Sequence, residues 1–409
     1  MVPARPARHT SQIAELKLSP ELELLLTCAR RDLSAESVQR ARELRDQPLD
    51  WDRLIEQAQL HGLLPLLHWH GTRSIALDFP QEIGQRLEDR FRANVARSLL
   101  MAQELFKIVE LLGSCGIPVV PFKGPVLAES LYGDAALREC VDLDILLRAR
   151  DVPEAIRVLV SAGYDAPKKL NPIQQNAFVA TQYEYPLLTP VGTLVELQWR
   201  IVPRYFSLAL PEELYWSRLE SLTICGRETK SLSCEDLLLL LSFHGSKHGW
   251  ERLIWLADVG ELVASKPHLD WVYVLEQARR AGGLRMVLLA ALLANRLLGT
   301  PMPSVLGQPL ARERTVARIA NSVCRNLVSG EEPSYTKSQL YLLSLRERWQ
   351  DRLGYVVRFT CTATPKEWEL IGFPPHLSFL YVFLRLLRGL RKALSLARNT
   401  AARVMEGKV

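Results

Sequence analysis

The chain has 409 residues, 48% apolar and 23% charged, enough for about two to four domains with a sizeable core. Its 51 basic and 45 acidic residues leave a net charge of +6, which permits an anionic ligand such as a nucleotide without demanding nucleic acid. The seven cysteines are scattered and include no Cys-x-x-Cys, which argues for reduced thiols in a cytoplasmic protein and against zinc or a disulfide framework.

The N-terminus, MVPARPARHTSQIAEL, is basic and lacks the apolar stretch of a secretory signal, so residues 1–17 are expected to be a disordered tail. No run of about 18 uncharged apolar residues exists to cross a membrane. Residues 18–103 place apolar side chains at helical spacing and are expected to form an N-terminal helical region, with Gly116 as a C-cap further on. Residues 104–210 change character. They predict a strand at 117–122, a helix at 125–132, a strand at 141–147 and a helix at 151–161 closed by Gly163. A loop holding Asn171 and Pro172 follows, then strands at 183–188 and 193–199 joined by Pro190-Val191-Gly192. From 211 to 330 helices are expected to dominate again. One helical segment, Ser233 to Ser265, opens on a capping signal in which Asp236 follows Ser233 by three; others fit 271–282 and 284–298, and 301–309 reads as a loop. Residues 331–409 read as a C-terminal helical extension interrupted by Pro365, Pro374 and Pro375. The fold class expected is α+β, mostly helical, with a small mixed sheet flanked by helical regions.

The chemistry concentrates in the stretch VVPFKGPVLAESLYGDAALRECVDLDILL, residues 119–147. Asp142 and Asp144 stand two apart on a strand, so both leave the same face. Two carboxylates beside a buried core repel each other, and a divalent cation between them removes that cost; Mg²⁺ suits a few carboxylates completed by water and phosphate oxygens. A lone Asp-x-Asp is also common as a solvated strand end. Glu196 and Gln198 share one face of the last strand. If that strand lies beside the first, Glu196 becomes a third acid, and two metal ions can be held. Lys123 and Gly124 end the first strand. The glycine permits close approach of backbone N–H groups to a phosphate, and the lysine supplies a point charge, although the spacing is not that of a P-loop. Arg138 reads as a phosphate clamp, a counter-ion for the aspartates or a surface salt bridge. His244, Lys247 and His248 fall on one helix face that continues to Glu251, Trp255 and Asp258. With no His-Glu-x-x-His, zinc is set aside in favour of a polar face closing over a triphosphate; packing of the histidines and Trp255 between domains is the plainer alternative.

Taken together, Lys123-Gly124, Tyr132-Gly133, Arg138 with Asp142 and Asp144, Val195-Glu196-Leu197-Gln198-Trp199, and His244 through Trp250 resemble the uncharacterised bacterial nucleotidyltransferase family of the polymerase-β-like superfold. The resemblance extends to Asp50-Trp51 and Ala58 to Gly62, and to Pro365 through Trp368 and Pro374-Pro375. It implies a nucleotidyltransferase core at 104–210, with Asp142, Asp144 and Glu196 as catalytic and metal-binding residues for Mg²⁺, two ions in all. It further implies a nucleoside triphosphate, ATP favoured, that gives its nucleoside monophosphate to a hydroxyl and releases pyrophosphate. Lys123, Gly124, Arg138, Lys247, His244 and His248 are the candidate nucleotide contacts. This chain departs from the wider superfamily at Lys123-Gly124, where Gly-Gly or Gly-Ser is usual, and from the family at Gln198, where histidine is usual; glutamine is neither acid nor base.

The expected acceptor is a small hydroxylated molecule first and a protein hydroxyl second. RNA comes third, because the basic residues are dispersed rather than interleaved with stacking aromatics. A rival is a non-catalytic nucleotide-binding scaffold that kept the fold. A second is a peripheral membrane contact at 377–394, where Arg385, Arg388 and Arg391 recur every third residue.

Overall fold

The computed structural model describes residues 18–74, 79–167 and 171–361, with a few positions between 373 and 391. The expected tail 1–17, the segments Pro365–Trp368 and Pro374–Pro375, and much of the basic stretch 377–394 lie outside the described residues. Among the described residues no helix is long and apolar enough to cross a membrane. Arg385 donates to the carbonyl of Phe359 and lies over its ring, so the basic stripe is not presented whole to a surface.

Among the described residues five α-helices come first: α1 (Pro20–Cys28), α2 (Ala35–Arg45), α3 (Trp51–His61), α4 (Leu64–Trp69) and the long α5 (Gln81–Ser114). Ser19, Ser34 and Asp50 cap the first three by accepting from the backbone N–H three residues on. Gly62 ends α3 in the left-handed conformation.

The sheet follows, as expected of an α+β fold. Its strands are β1 (Val120–Pro121), β2 (Asp142–Leu146), β3 (Glu184–Leu188) and β4 (Leu194–Gln198), in the order β1-β2-β4-β3. β2 and β4 run parallel and the other two pairs antiparallel, so the sheet is mixed. The first strand is shorter than the expected 117–122, because Pro118 and Pro121 have no N–H to give a ladder. Helix α6 (Pro125–Tyr132) joins β1 to β2, and α7 (Val152–Ser161) and α8 (Pro172–Thr181) lie between β2 and β3. The loop expected around Asn171 is therefore the start of a helix, with Asn171 and Gln174 forming a reciprocal capping box.

Alternation divides the sheet. Leu143 and Ile145 of β2, Tyr185 and Leu187 of β3, and Val195 and Leu197 of β4 are buried against Leu105, Ile108 and Leu112 of α5 and Ile156 and Leu159 of α7. Each aliphatic side chain so buried contributes about 1.5–3 kcal/mol. The residues between them, Asp142, Asp144, Glu196 and Gln198, leave by the opposite face.

Past the sheet come α9 (Glu212–Trp216) and a hairpin of β5 (Glu220–Ile224) and β6 (Arg227–Ser231) that the helical reading of this region did not foresee. Cys225 and Gly226 make its turn, both at positive φ. The segment Ser233–Ser265 is two helices, α10 (Cys234–Lys247) and α11 (Leu253–Ser265), and not one. Gly249 and Trp250 break it at φ of 65° and 58°. The fully buried Trp250 indole packs on Gly245, where even a Cβ would collide with the ring. Helices α12 (Trp271–Ala281) and α13 (Leu284–Leu298) agree with expectation, whereas the 301–309 loop gives way to a helical turn at Ser304–Leu306 and to α14 (Gly307–Arg312). Helices α15 (Arg314–Ser329), α16 (Tyr335–Ser344) and α17 (Trp349–Cys361) complete the described chain. A second apolar cluster joins the N-terminal helices to α10, α11, α13 and α15.

Candidate active site

The parallel register of β2 and β4 sets Asp144 directly beside Glu196. Gln198, two residues on and on the same face, donates from one amide nitrogen to both, 2.7 Å to Asp144 Oδ1 and 3.0 Å to Glu196 Oε2. The two acceptor oxygens therefore lie within about 6 Å of each other. Lys123, two residues past the end of β1, reaches the same Asp144 oxygen at 3.0 Å. The next residue, Gly124, sits at φ 61° with its backbone against β2; a Cβ there would come 3.3 Å from the carbonyl oxygen of Asp142. The antiparallel register of β3 adds Glu184, the partner of Gln198, to this face.

All of these but Gly124 line a cavity of about 310 Å³ closed by Tyr183 and, from the helical side, by His244, Lys247, His248 and Trp255. Lys247 donates to the Tyr183 hydroxyl at 3.1 Å. The histidine rings stand 4.7 Å apart, each within 5.3 Å of the Trp255 ring. Burial, with Lys123 close by, holds His244 well below the usual imidazole range, and burial beside Lys247 lowers His248 to about 3. Both are neutral at physiological pH, so they offer a ring N–H and an apolar face to the cavity, and no positive charge.

Two of the acids are raised. Burial and then the neighbouring Asp144 carboxylate push Asp142 up. Burial, Glu184, Asp144 and Asp142 push Glu196 to about 7. Burial lowers Lys247. Four carboxylates thus share the face with two lysines, and the negative charge is under-compensated.

Arg138 lines the cavity and its charge favours the ionised Asp142 carboxylate, but among the described residues its ion pair is made with neither aspartate of β2. Its Nε and Nη2 are committed to Asp258 on α11 at 3.0–3.1 Å, and the Tyr132 hydroxyl donates to the same carboxylate at 3.0 Å. Burial opposes the guanidinium's charge, and Asp258 more than restores it. Asp258 is fully buried, so this knot fixes the helical half to the segment entering β2.

The donor set fits a hard divalent cation: oxygen ligands, excess negative charge and two carboxyls held above their ordinary range. As the side chains stand, no three His, Cys, Asp or Glu among the described residues converge closely enough to hold an ion. Lys123 and the Gln198 amide satisfy Asp144 instead. Glu184 and Tyr183 were not singled out from sequence. The signal was present, since a turn at 190–192 pairs Leu188 with Leu194 and, four residues further out, Glu184 with Gln198.

Among solved structures, an antigenic nucleotidyltransferase-like protein from Paracoccidioides brasiliensis aligns at 17% identity over 53% of this chain and 96% of its own, with a TM-score of 0.29. No curated protein matches the chain. The sequence model of the uncharacterised nucleotidyltransferase family matches residues 47–299, which carry every acid and lysine of the cavity. That match covers well over half of the chain, and the chain belongs to this family.

Proposed function

We propose that the acidic sheet face is the catalytic centre of a Mg²⁺-dependent nucleotidyltransferase. The observation that carries this reading is the placement of Asp142, Asp144 and Glu196 on one sheet face, short of positive charge, with Lys123 at its edge. Asp142 and Asp144 would hold the metal, with Glu196 completing the acidic set. When bound, Mg²⁺ supplies neutralisation of the carboxylates and polarisation of phosphate oxygens. Lys123, released from Asp144, meets the triphosphate, and Lys247 faces it from the helical side. The acceptor's hydroxyl oxygen forms a bond to the α-phosphorus as the bond from that phosphorus to the β-phosphate's bridging oxygen breaks. Pyrophosphate leaves with that electron pair. The hydroxyl proton passes to Glu196, whose elevated pKa suits a general base near neutrality. His244 packs edge-on and His248 at a tilt against Trp255, and together they exclude water.

ATP is the first nucleotide to try. The acceptor hydroxyl belongs to a small molecule in preference to a protein side chain. A non-catalytic nucleotide-binding scaffold is the second reading, favoured by one observation: Lys123 and Gln198 already satisfy Asp144 without an ion.

Calorimetric titration of ATP, CTP, GTP and UTP with Mg²⁺ into the wild type and an Asp142→Ala/Asp144→Ala variant tests the proposal. Metal-dependent binding that the variant loses is expected, at a cost of at least about 100-fold in transfer once an acceptor is in hand. Failure of all four nucleotides to bind would end it in favour of the scaffold.

A further inference from the structure

A cavity of about 920 Å³ lies between the end of α10 and helices α15 and α16, and it shares Lys247 and His248 with the acidic cavity. Those two side chains are the partition between them. The chemistry on the far side is reversed. Arg318, Arg325, Lys337 and Arg352 line it, against Glu251 as the acid. None of the four cations makes an ion pair among the described residues; Arg318 donates to Thr315 Oγ1 at 3.1 Å, and Arg352 to the Arg346 carbonyl at 3.1 Å. The wall between them is aliphatic, with Ile319 and Val323 buried beneath and Leu340 exposed beside them.

We propose that this second cavity seats the acceptor, and that the acceptor is a hydroxylated phosphate ester with an apolar portion. This deepens the nucleotidyl-transfer reading of the acidic face and rests on it. Four exposed cations around one space, without an ion pair among the described residues, match the multiple charge of a phosphate, and guanidinium forks match its oxygens. The aliphatic wall takes the apolar part. The nucleoside belongs on the other side of the partition, where Trp255 and Tyr183 give it aromatic faces; the second cavity has only Tyr341. With its phosphate held among the arginines, the acceptor presents a hydroxyl past Lys247 toward Glu196. That oxygen gains the α-phosphorus, its proton goes to Glu196, pyrophosphate departs, and the acceptor's own phosphate is unchanged.

The test is calorimetric titration of 1-O-hexylglycerol 3-phosphate, and of uncharged 1-O-hexylglycerol, into the full chain. Three proteins are compared: wild type, Arg325→Ser/Lys337→Ser and Asp142→Asn/Asp144→Asn. Arg325 and Lys337 are exposed, so the first variant retains the fold. The phosphate probe should bind the wild type at least about tenfold more tightly than the uncharged one, lose about tenfold in the cavity variant and keep its affinity in the aspartate variant. Equal affinity for the two probes, or no loss in the cavity variant, overturns the proposal. ATP with Mg²⁺ serves as the second titrant and should bind the cavity variant as it binds wild type. If the cavity variant loses ATP, the space belongs to the nucleotide and the acceptor assignment fails. A wild type that takes the phosphate probe but no nucleotide would instead end the transfer reading and with it the acceptor role, leaving only a phosphate-ester site.

Discussion

Two ion pairs border the acidic cavity, and they differ in how they are satisfied. Arg138 meets Asp258 through two nitrogens, with the Tyr132 hydroxyl as a third donor, and the carboxylate is wholly removed from solvent. Every strong valence of that knot points inward. Lys123 meets Asp144 through one contact on an oxygen that also accepts from Gln198, and a second acid lies two residues away. Its cation can leave without stranding the carboxylate, because the Gln198 amide stays. The lesson is that burial does not separate a structural pair from an exchangeable one, since Asp144 is nearly as enclosed as Asp258. What separates them is whether alternative partners surround the carboxylate.

The comparison can be broken most directly at Asp258. Asp258→Ala leaves the Arg138 guanidinium buried without its anion and should cost about 3–5 kcal/mol, read by denaturant unfolding. A loss below about 1 kcal/mol would mean that the knot is no more structural than the Lys123 pair.

The next effect concerns pH. Glu196 has its folded pKa raised to about 7 from an ordinary 4.5, so between those values the folded chain holds a proton that the unfolded chain has released. That contribution to stability is present below about 4.5 and is lost as pH rises through about 7. His244 and His248, lowered in the fold, act in the opposite sense as pH falls below the ordinary 6.5. The clean readout is therefore the difference between wild type and Glu196→Gln: thermal midpoints should converge toward low pH and separate above pH 7, the variant being the more stable there. A constant difference across that range would show that Glu196 is not strained by its acidic neighbours.

The smallest effect on stability, and the one that sharpens the contrast, is Lys123→Met. Asp144 keeps the Gln198 donor, so unfolding should change by only about 1 kcal/mol. The KM for nucleoside triphosphate should rise about tenfold, equivalent to about 1.4 kcal/mol. A large stability loss with an unchanged KM would make Lys123 a structural cation like Arg138.

Much of the sheet was legible because alternation is a local signal. Val141 to Leu147 names its own inner and outer faces, and Pro190-Val191-Gly192 fixes the hairpin that carries Glu196. Helix α6 was bounded by Pro125 at one end and Gly133, at positive φ, at the other. The β5–β6 hairpin was not legible, because its outer positions Glu220, Arg227, Glu228 and Lys230 swamp a weak apolar alternation. The break between α10 and α11 was hidden because a tryptophan at positive φ is a tertiary choice, compelled by burial of its ring against Gly245. The partner of Arg138 lies 120 residues away, and no local pattern could name it.

That long reach has a consequence for how the family can vary. Arg138 and Asp258 must be gained, lost or exchanged together, so the two positions should change in concert over evolutionary time. The sheet is likewise no portable module. A shorter chain ending before α11 would carry a guanidinium designed for an anion it no longer possesses, and recombination that supplied a foreign helical half would have to bring its own acid to the same spot.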